Sequence, residues 1–231
     1  MPSLATQLTH FYRSLRPPRG LPPGIGVLYP QKDPEVMGIT AAFFDKFFAD
    51  SRPRHLLLGI NPGRFGAGVT GINFTAPRQL AEHCGLAHPF KPHSELSAEF
   101  IYEVIDAYGG CVSFYGDFFL SAVSPLGYIR DGRNLNYYDD PALLRAVTPF
   151  IVRSLRRQLD FGFRRDHCLC IGGEKNFRFL QQINEQYGWF DRITPLAHPR
   201  FIMQYRRRRK GQFVRQYVDA LREAAGTRRH R

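Results

Sequence analysis

Two side chains in this sequence are set up for chemistry by the same local device, a proline placed directly after a polar residue at the end of an apolar run. Asn61-Pro62-Gly63 follows Leu56 to Ile60, and His198-Pro199 follows Arg192 to Ala197. Asparagine offers an amide that can orient a water or a polar substrate atom. Histidine offers a ring nitrogen that donates a hydrogen bond or exchanges a proton near neutral pH. Between Asn61 and Phe74 the chain carries Gly63, Gly66, Gly68 and Gly71, which leave backbone amides bare for close approach. One amide, bare backbone and the aromatic face of Phe74 suit a flat heterocycle. The same residues also admit a plainer reading: Asn-Pro-Gly serves as an ordinary turn, Phe65 and Phe74 as core, and a single histidine is more often structural than reactive.

Elements must carry these residues to one place. Leu56 to Ile60 is a continuous apolar run, as expected of a strand buried on both faces of a parallel sheet. Phe118 to Val123, Asp166 to Ile171 and Arg192 to Ala197 read as three more strands. Helices are predicted over residues 34–48, 76–84, 97–108, 141–159, 174–187 and 212–224, the first opened by Asp33 as N-cap with Pro34 at the first helical position. Strands alternating with helices predict a three-layer α/β/α domain around a mostly parallel four-stranded sheet. Ligands of such sheets bind beyond the carboxyl ends of the strands, and both Asn61 and His198 fall there. One domain is expected over residues 1–231, with residues 1–33 forming an N-terminal helix and a proline-rich extension. Residues 131–134 read as a turn and 200–210 as a loop.

The formal charge is +12, from 32 basic against 20 acidic residues, and points to a polyanionic partner. Much of it is concentrated in Arg200-Phe-Ile-Met-Gln-Tyr-Arg-Arg-Arg-Arg-Lys210. Arg206, Arg207, Arg208, Arg209 and Lys210 precede a predicted helix, where the macrodipole disfavours cations unless an anion is at hand. Phe201, Ile202 and Met203 beside them are of the kind that wedges between base steps. The segment therefore reads as a phosphate clamp with a wedge, Arg200 and Met203 included. No apolar run approaches the length of a membrane span, and Met1-Pro2-Ser3-Leu4 does not resemble a secretory signal. Cys84, Cys111, Cys168 and Cys170 form no Cys-x-x-Cys pair, which fits a reducing, cytoplasmic setting. Glu82, His83, Cys84, His88 and His93 lie close together, but their spacing matches no zinc pattern and Pro89 and Pro92 break any shared helix. No metal or other cofactor is expected.

The stretch from Leu56 to Phe74 resembles the first motif of the uracil-DNA glycosylase superfamily, in which Asn-Pro-Gly, Phe-Gly, Thr-Gly and the final Phe recur at this spacing. His198-Pro199 resembles the superfamily's closing motif, and Ser124-Pro125-Leu126 with Gly132-Arg133-Asn134-Leu135 resembles its single-strand-selective monofunctional (SMUG-type) branch, nearest to the SMUG2-type bacterial glycosylases. The resemblance covers Leu56 to Ala224. It implies a monomeric, bacterial, nucleoid-associated enzyme that excises damaged bases from DNA, with Asn61 positioning water and His198 stabilising the departing base. Gly63, Phe65 and Phe74 would line the base pocket. Where that branch has an asparagine that reads the pyrimidine edge, this chain has Ala122; either Ser121 or backbone takes over the task, or the pocket reads a different base. The uracil-excising branch has a tyrosine where Gly63 stands, so a larger base is expected to fit. Two rivals stay open: a DNA-binding module without turnover, and a nucleotide-binding enzyme using the glycine loop. That loop, however, lacks the Gly-Lys-Ser/Thr ending.

Overall fold

A computed structural model describes residues 2–226; Met1 and residues 227–231, both within the expected domain, lie outside the described residues. In chain order the elements are α1 (Leu4–Arg13), β1 (Gly26–Leu28), α2 (Pro34–Phe48), β2 (His55–Gly59), α3 (Ala67–Thr70), α4 (Pro77–Glu82), α5 (Leu96–Tyr108), α6 (Gly110–Asp117), β3 (Phe118–Ala122), β4 (Gly127–Arg130), β5 (Arg133–Leu135), α7 (Pro141–Leu159), β6 (Cys168–Ile171), α8 (Gly173–Tyr187), β7 (Ile193–Leu196), α9 (Pro199–Tyr205) and α10 (Lys210–Ala224). β3, β2, β6 and β7 form a parallel sheet in that order. Helices flank it, giving the expected α/β/α architecture. Every residue of β2, β3 and β6 is buried, which is why these strands are apolar apart from His55 and Ser121.

Local chemistry sets the helix starts. Asp33 accepts from the Glu35 N–H at 2.8 Å with Pro34 at the first position. Asp140 does the same for α7 toward Ala142 and Leu143, ahead of Pro141. α1 packs on α2 and α7, and α5 packs on α9 and α10.

The register brings the active ends together. Gly59 lies opposite Ala122, and the pairing runs on past the strands, with Val123 N–H bonded to Gly59 O and Ser124 N–H to Ile60 O. Gly172 N–H reaches Leu196 O beyond β6 and β7. Asn61, Ala122, Gly172 and His198 therefore emerge along one edge of the sheet.

Three features differ from the sequence-based expectation. Residues 127–135 are a β-hairpin, not only a turn: β4 pairs with β1 and β5 in a second, antiparallel sheet. Its tip, Asp131 (φ +49°) and Gly132 (φ +68°), takes two consecutive positive φ values, which suit a tight hairpin turn. A helix, α6, fills residues 110–117; its cap Gly109 and first residue Gly110 are both at positive φ. The stretch expected as a loop after His198 is mostly helical. No helix among the described residues is long and apolar enough to cross a membrane.

Candidate active site

Asn61 sits two residues past β2 with its amide held at both ends. Its Oδ1 accepts the Tyr137 N–H at 3.0 Å, and its Nδ2 donates to Leu135 O at 3.1 Å and Pro62 O at 3.3 Å. The segment leaving the hairpin thus fixes which way the amide faces. A carbonyl oxygen has two lone pairs, and Tyr137 takes one. The glycine loop closes through a Gly68 N–H to Gly63 O bond of 2.7 Å. A Cβ on Gly68 would stand 2.7 Å from that same oxygen, so the turn requires glycine there.

Phe74 closes the loop in a left-handed conformation (φ +54°) rare for a bulky residue. Packing holds it: its ring lies on the backbone of Gly59, where a Cβ would come within 2.6 Å of the ring. The ring centroid is 6.4 Å from that of His198.

His198 is the N-cap of α9, its Nδ1 accepting the Arg200 N–H at 3.1 Å. An acceptor at Nδ1 leaves the proton of the neutral ring on Nε2, so this edge is a donor. Burial, reinforced by the neighbouring Arg200 charge, lowers the ring's pKa to about 4. The ring is therefore neutral at physiological pH. Tyr217 of α10 donates its hydroxyl to Ala197 O and pins the segment.

Asn61, Gly63, Phe74, His198 and Arg200 all line one cavity of about 400 Å³, within the range of small-molecule sites. Three other expected residues are placed elsewhere. Ser121 is fully buried, and its hydroxyl donates to Gln158 Oε1 at 2.6 Å. Successive strand residues face opposite sides, so with Ala122 on the cavity wall, Ser121 faces α7. Phe65 stands outside the cavity lining, 55% exposed, under the Arg64 guanidinium at 4.9 Å. Met203 is 4% exposed and Ile202 fully buried, because α9 turns both inward toward α5. The same helix turns Phe201 (43% exposed) and Tyr205 (67%) outward, four residues apart.

The cationic run is split. Arg206 to Arg209 are exposed and, with Gln204 and Tyr205, line an open groove that shares those two residues with the cavity. None of the four forms an ion pair among the described residues. Lys210 is different: it is paired with Glu103 of α5.

The sequence reading also missed residues. Asn134, Asn136 and Tyr138, from the hairpin and the segment after it, line the cavity, as do Asn73, Glu95 and Ser97. Burial raises the Glu95 carboxyl's pKa, against the opposing charges of Arg200 and His93. The Asn134 signal was present in Gly-Arg-Asn-Leu, but nothing in the sequence showed that a hairpin would carry it to Asn61. His88 and His93 bond to the carbonyls of Pro77 and Phe65, and no cluster of three potential ligands among the described residues could hold a metal.

Residues 46–222 match the family model for the uracil DNA glycosylase superfamily. Among solved structures, the chain is similar to wild-type SMUG2 of Pedobacter heparinus, with 41% identity over 98% of this chain and 100% of that one, and a TM-score of 0.93. A search of curated proteins gave no match. With its motifs meeting in one cavity at the sheet's carboxyl edge, the chain belongs to the uracil-DNA glycosylase superfamily.

Proposed function

We propose that the protein is a monofunctional DNA glycosylase of base excision repair that hydrolyses the N-glycosidic bond of uracil and related deaminated or oxidised bases. The observation that carries this reading is the convergence of Asn61, Phe74 and His198, whose Nδ1 is taken up as a helix cap, on one cavity. A base inside a duplex must leave the stack to reach such a pocket. Phe74 then offers it a stacking face, and the bare glycine loop borders it.

As the bond between C1′ and the base nitrogen lengthens, its electron pair goes to the base and the sugar becomes cationic. Negative charge develops on the base oxygen beside the glycosidic nitrogen. His198 donates Nε2–H to that oxygen, stabilising charge present mainly in the transition state. A neutral donor suits this task because burial disfavours an imidazolium. Asn61 orients water through the second lone pair of Oδ1. Water adding to an oxocarbenium-like carbon needs placement more than deprotonation; it bonds to C1′ and releases a proton as the base leaves. No lysine lines the cavity among the described residues, in keeping with hydrolysis without a Schiff base.

The protein acts as a monomer in this reading. Arg200 and Arg206 to Arg209 bind phosphates, and Phe201 with Tyr205 takes the wedge role first assigned to Met203. The test is alkali-induced strand breakage on oligonucleotides carrying uracil, hydroxymethyluracil, xanthine or hypoxanthine. Breakage only after alkali supports a monofunctional glycosylase. Breakage without alkali would indicate lyase action, and binding without breakage would leave a non-catalytic module.

A further inference from the structure

Cys84 and Cys111 stand side by side although they are remote in sequence. Cys84 follows α4 and is buried, while Cys111 is half-buried in the first turn of α6. A buried chain of hydrogen bonds places them. Cys84 Sγ lies 3.1 Å from the Tyr102 hydroxyl, which lies 3.3 Å from that of Tyr115. Tyr115 comes one turn after Cys111, so the two share a face of α6. The thiols of Cys84 and Cys111 hydrogen-bond each other. Lys46 of α2 borders the pair, its ammonium 3.4 Å from the carbonyl of Gly85.

The pair is asymmetric. Cys84 donates its proton, and Cys111 accepts. That bond lowers the pKa of Cys111, against burial and the charge of Asp106, with the Lys46 charge adding to it. The same bond, together with burial, raises that of Cys84. The first turn of a helix also favours an anion, so its dipole supports a thiolate at Cys111. The other two cysteines differ. Cys168 and Cys170 are buried in β6, burial raises both, and Cys170 accepts from Asn176 Nδ2 at 3.3 Å. An accessible, thiolate-prone sulfur beside a second thiol is the arrangement that peroxide oxidises first.

We propose that Cys84 and Cys111 are an oxidation site, at which hydrogen peroxide closes an intrachain disulfide. The Cys111 thiolate attacks one peroxide oxygen; the O–O bond breaks and hydroxide leaves, giving a sulfenic acid at Cys111. Cys84 then loses its proton and attacks that sulfur, and the sulfenic oxygen leaves with the proton as water. Both thiols are oxidised and the peroxide is reduced to water. The new bond takes away the thiol that meets Tyr102, whose hydroxyl also lies 3.0 Å from that of Thr75, the neighbour of Phe74. Oxidation is therefore felt behind the loop that carries Phe74. The assignment stands apart from the glycosylase reading.

The test treats the reduced full-length protein with hydrogen peroxide, counts free thiols after denaturation, and maps masses after cleavage at glutamate. Glu95, Glu99 and Glu103 separate the two cysteines, so a linked pair of peptides identifies the bond. Wild type is expected to lose two of its four thiols, to give that linked pair, and to recover both thiols with dithiothreitol. Cys111→Ser should lose none at the same dose, whereas Cys84→Ser should lose one, with oxygen added at Cys111. Survival of all four thiols in wild type, a cross-link between two molecules, or oxidation beginning at Cys168 or Cys170 overturns the assignment. The wild-type map decides the matter by itself if either variant fails to fold.

Discussion

His198 carries its proton on Nε2 because the other nitrogen caps a helix. Its pKa of about 4 lies below the ordinary 6.5, so the single-turnover rate should show no inflection at 6.5 from this group and should fall only as pH approaches 4. Protonation at Nδ1 also removes the acceptor for the Arg200 N–H. Because the ring's pKa is lowered in the fold, the unfolded chain takes the proton first as pH drops. The ring's contribution is thus whole above 6.5 and is lost progressively toward 4. A rate profile with a midpoint at 6.5 that His198→Asn abolishes would contradict this account. Phe74 acts by stacking, so Phe74→Ala should weaken capture of the base by about 1–3 kcal/mol. The loss should be similar for every base, read as half-saturation in single turnover. Unfolding of that variant instead would show that the ring on Gly59 serves mainly as core.

The stretch from α9 to the start of α10 changes most between sequence and structure. With five cations in a row it reads as a phosphate clamp and wedge on a loop, yet His198 and Pro199 start a helix and Ile202 and Met203 bury its inner face. Met203→Ala should therefore destabilise the fold, by about 2–5 kcal/mol, measured by denaturant unfolding. Tyr205→Ala should leave stability nearly unchanged, and should slow excision from duplex more than from single strands, because only a duplex needs a wedge. The exposed arginines act on affinity. Arg207→Gln with Arg208→Gln should make the salt dependence of duplex binding shallower by about one to two units of log–log slope. The excised base should not change. An unchanged slope would place the DNA elsewhere on the molecule.

Across the whole molecule, the central sheet was readable because β2, β3 and β6 are buried on both faces, and burial of that kind writes itself as predominantly apolar sequence. α7 was readable from its Asp-Pro start. The hairpin was not, since its strands are three or four residues long, carry Arg130, Arg133 and Asn134, and leave one side to solvent. Asn61 and His198 could be found because each ends a strand before proline. Ser121 was misplaced although strand alternation was available to correct it: with Ala122 facing the cavity, its neighbour has to face the other way. Asn134 and Glu95 reach the site from segments remote in sequence, which only the tertiary fold reveals.

These scales meet in the claim that Asn61 places the attacking water and does little else. The direct measurement is single-turnover excision of uracil from a single-stranded oligonucleotide by the wild-type protein and by Asn61→Ala, read by alkali strand breakage beside equilibrium binding of the same DNA. The account predicts a rate lower by about 10²–10³ in the variant with affinity nearly intact. An Asn61→Ala protein that keeps more than about a tenth of the wild-type rate would contradict it.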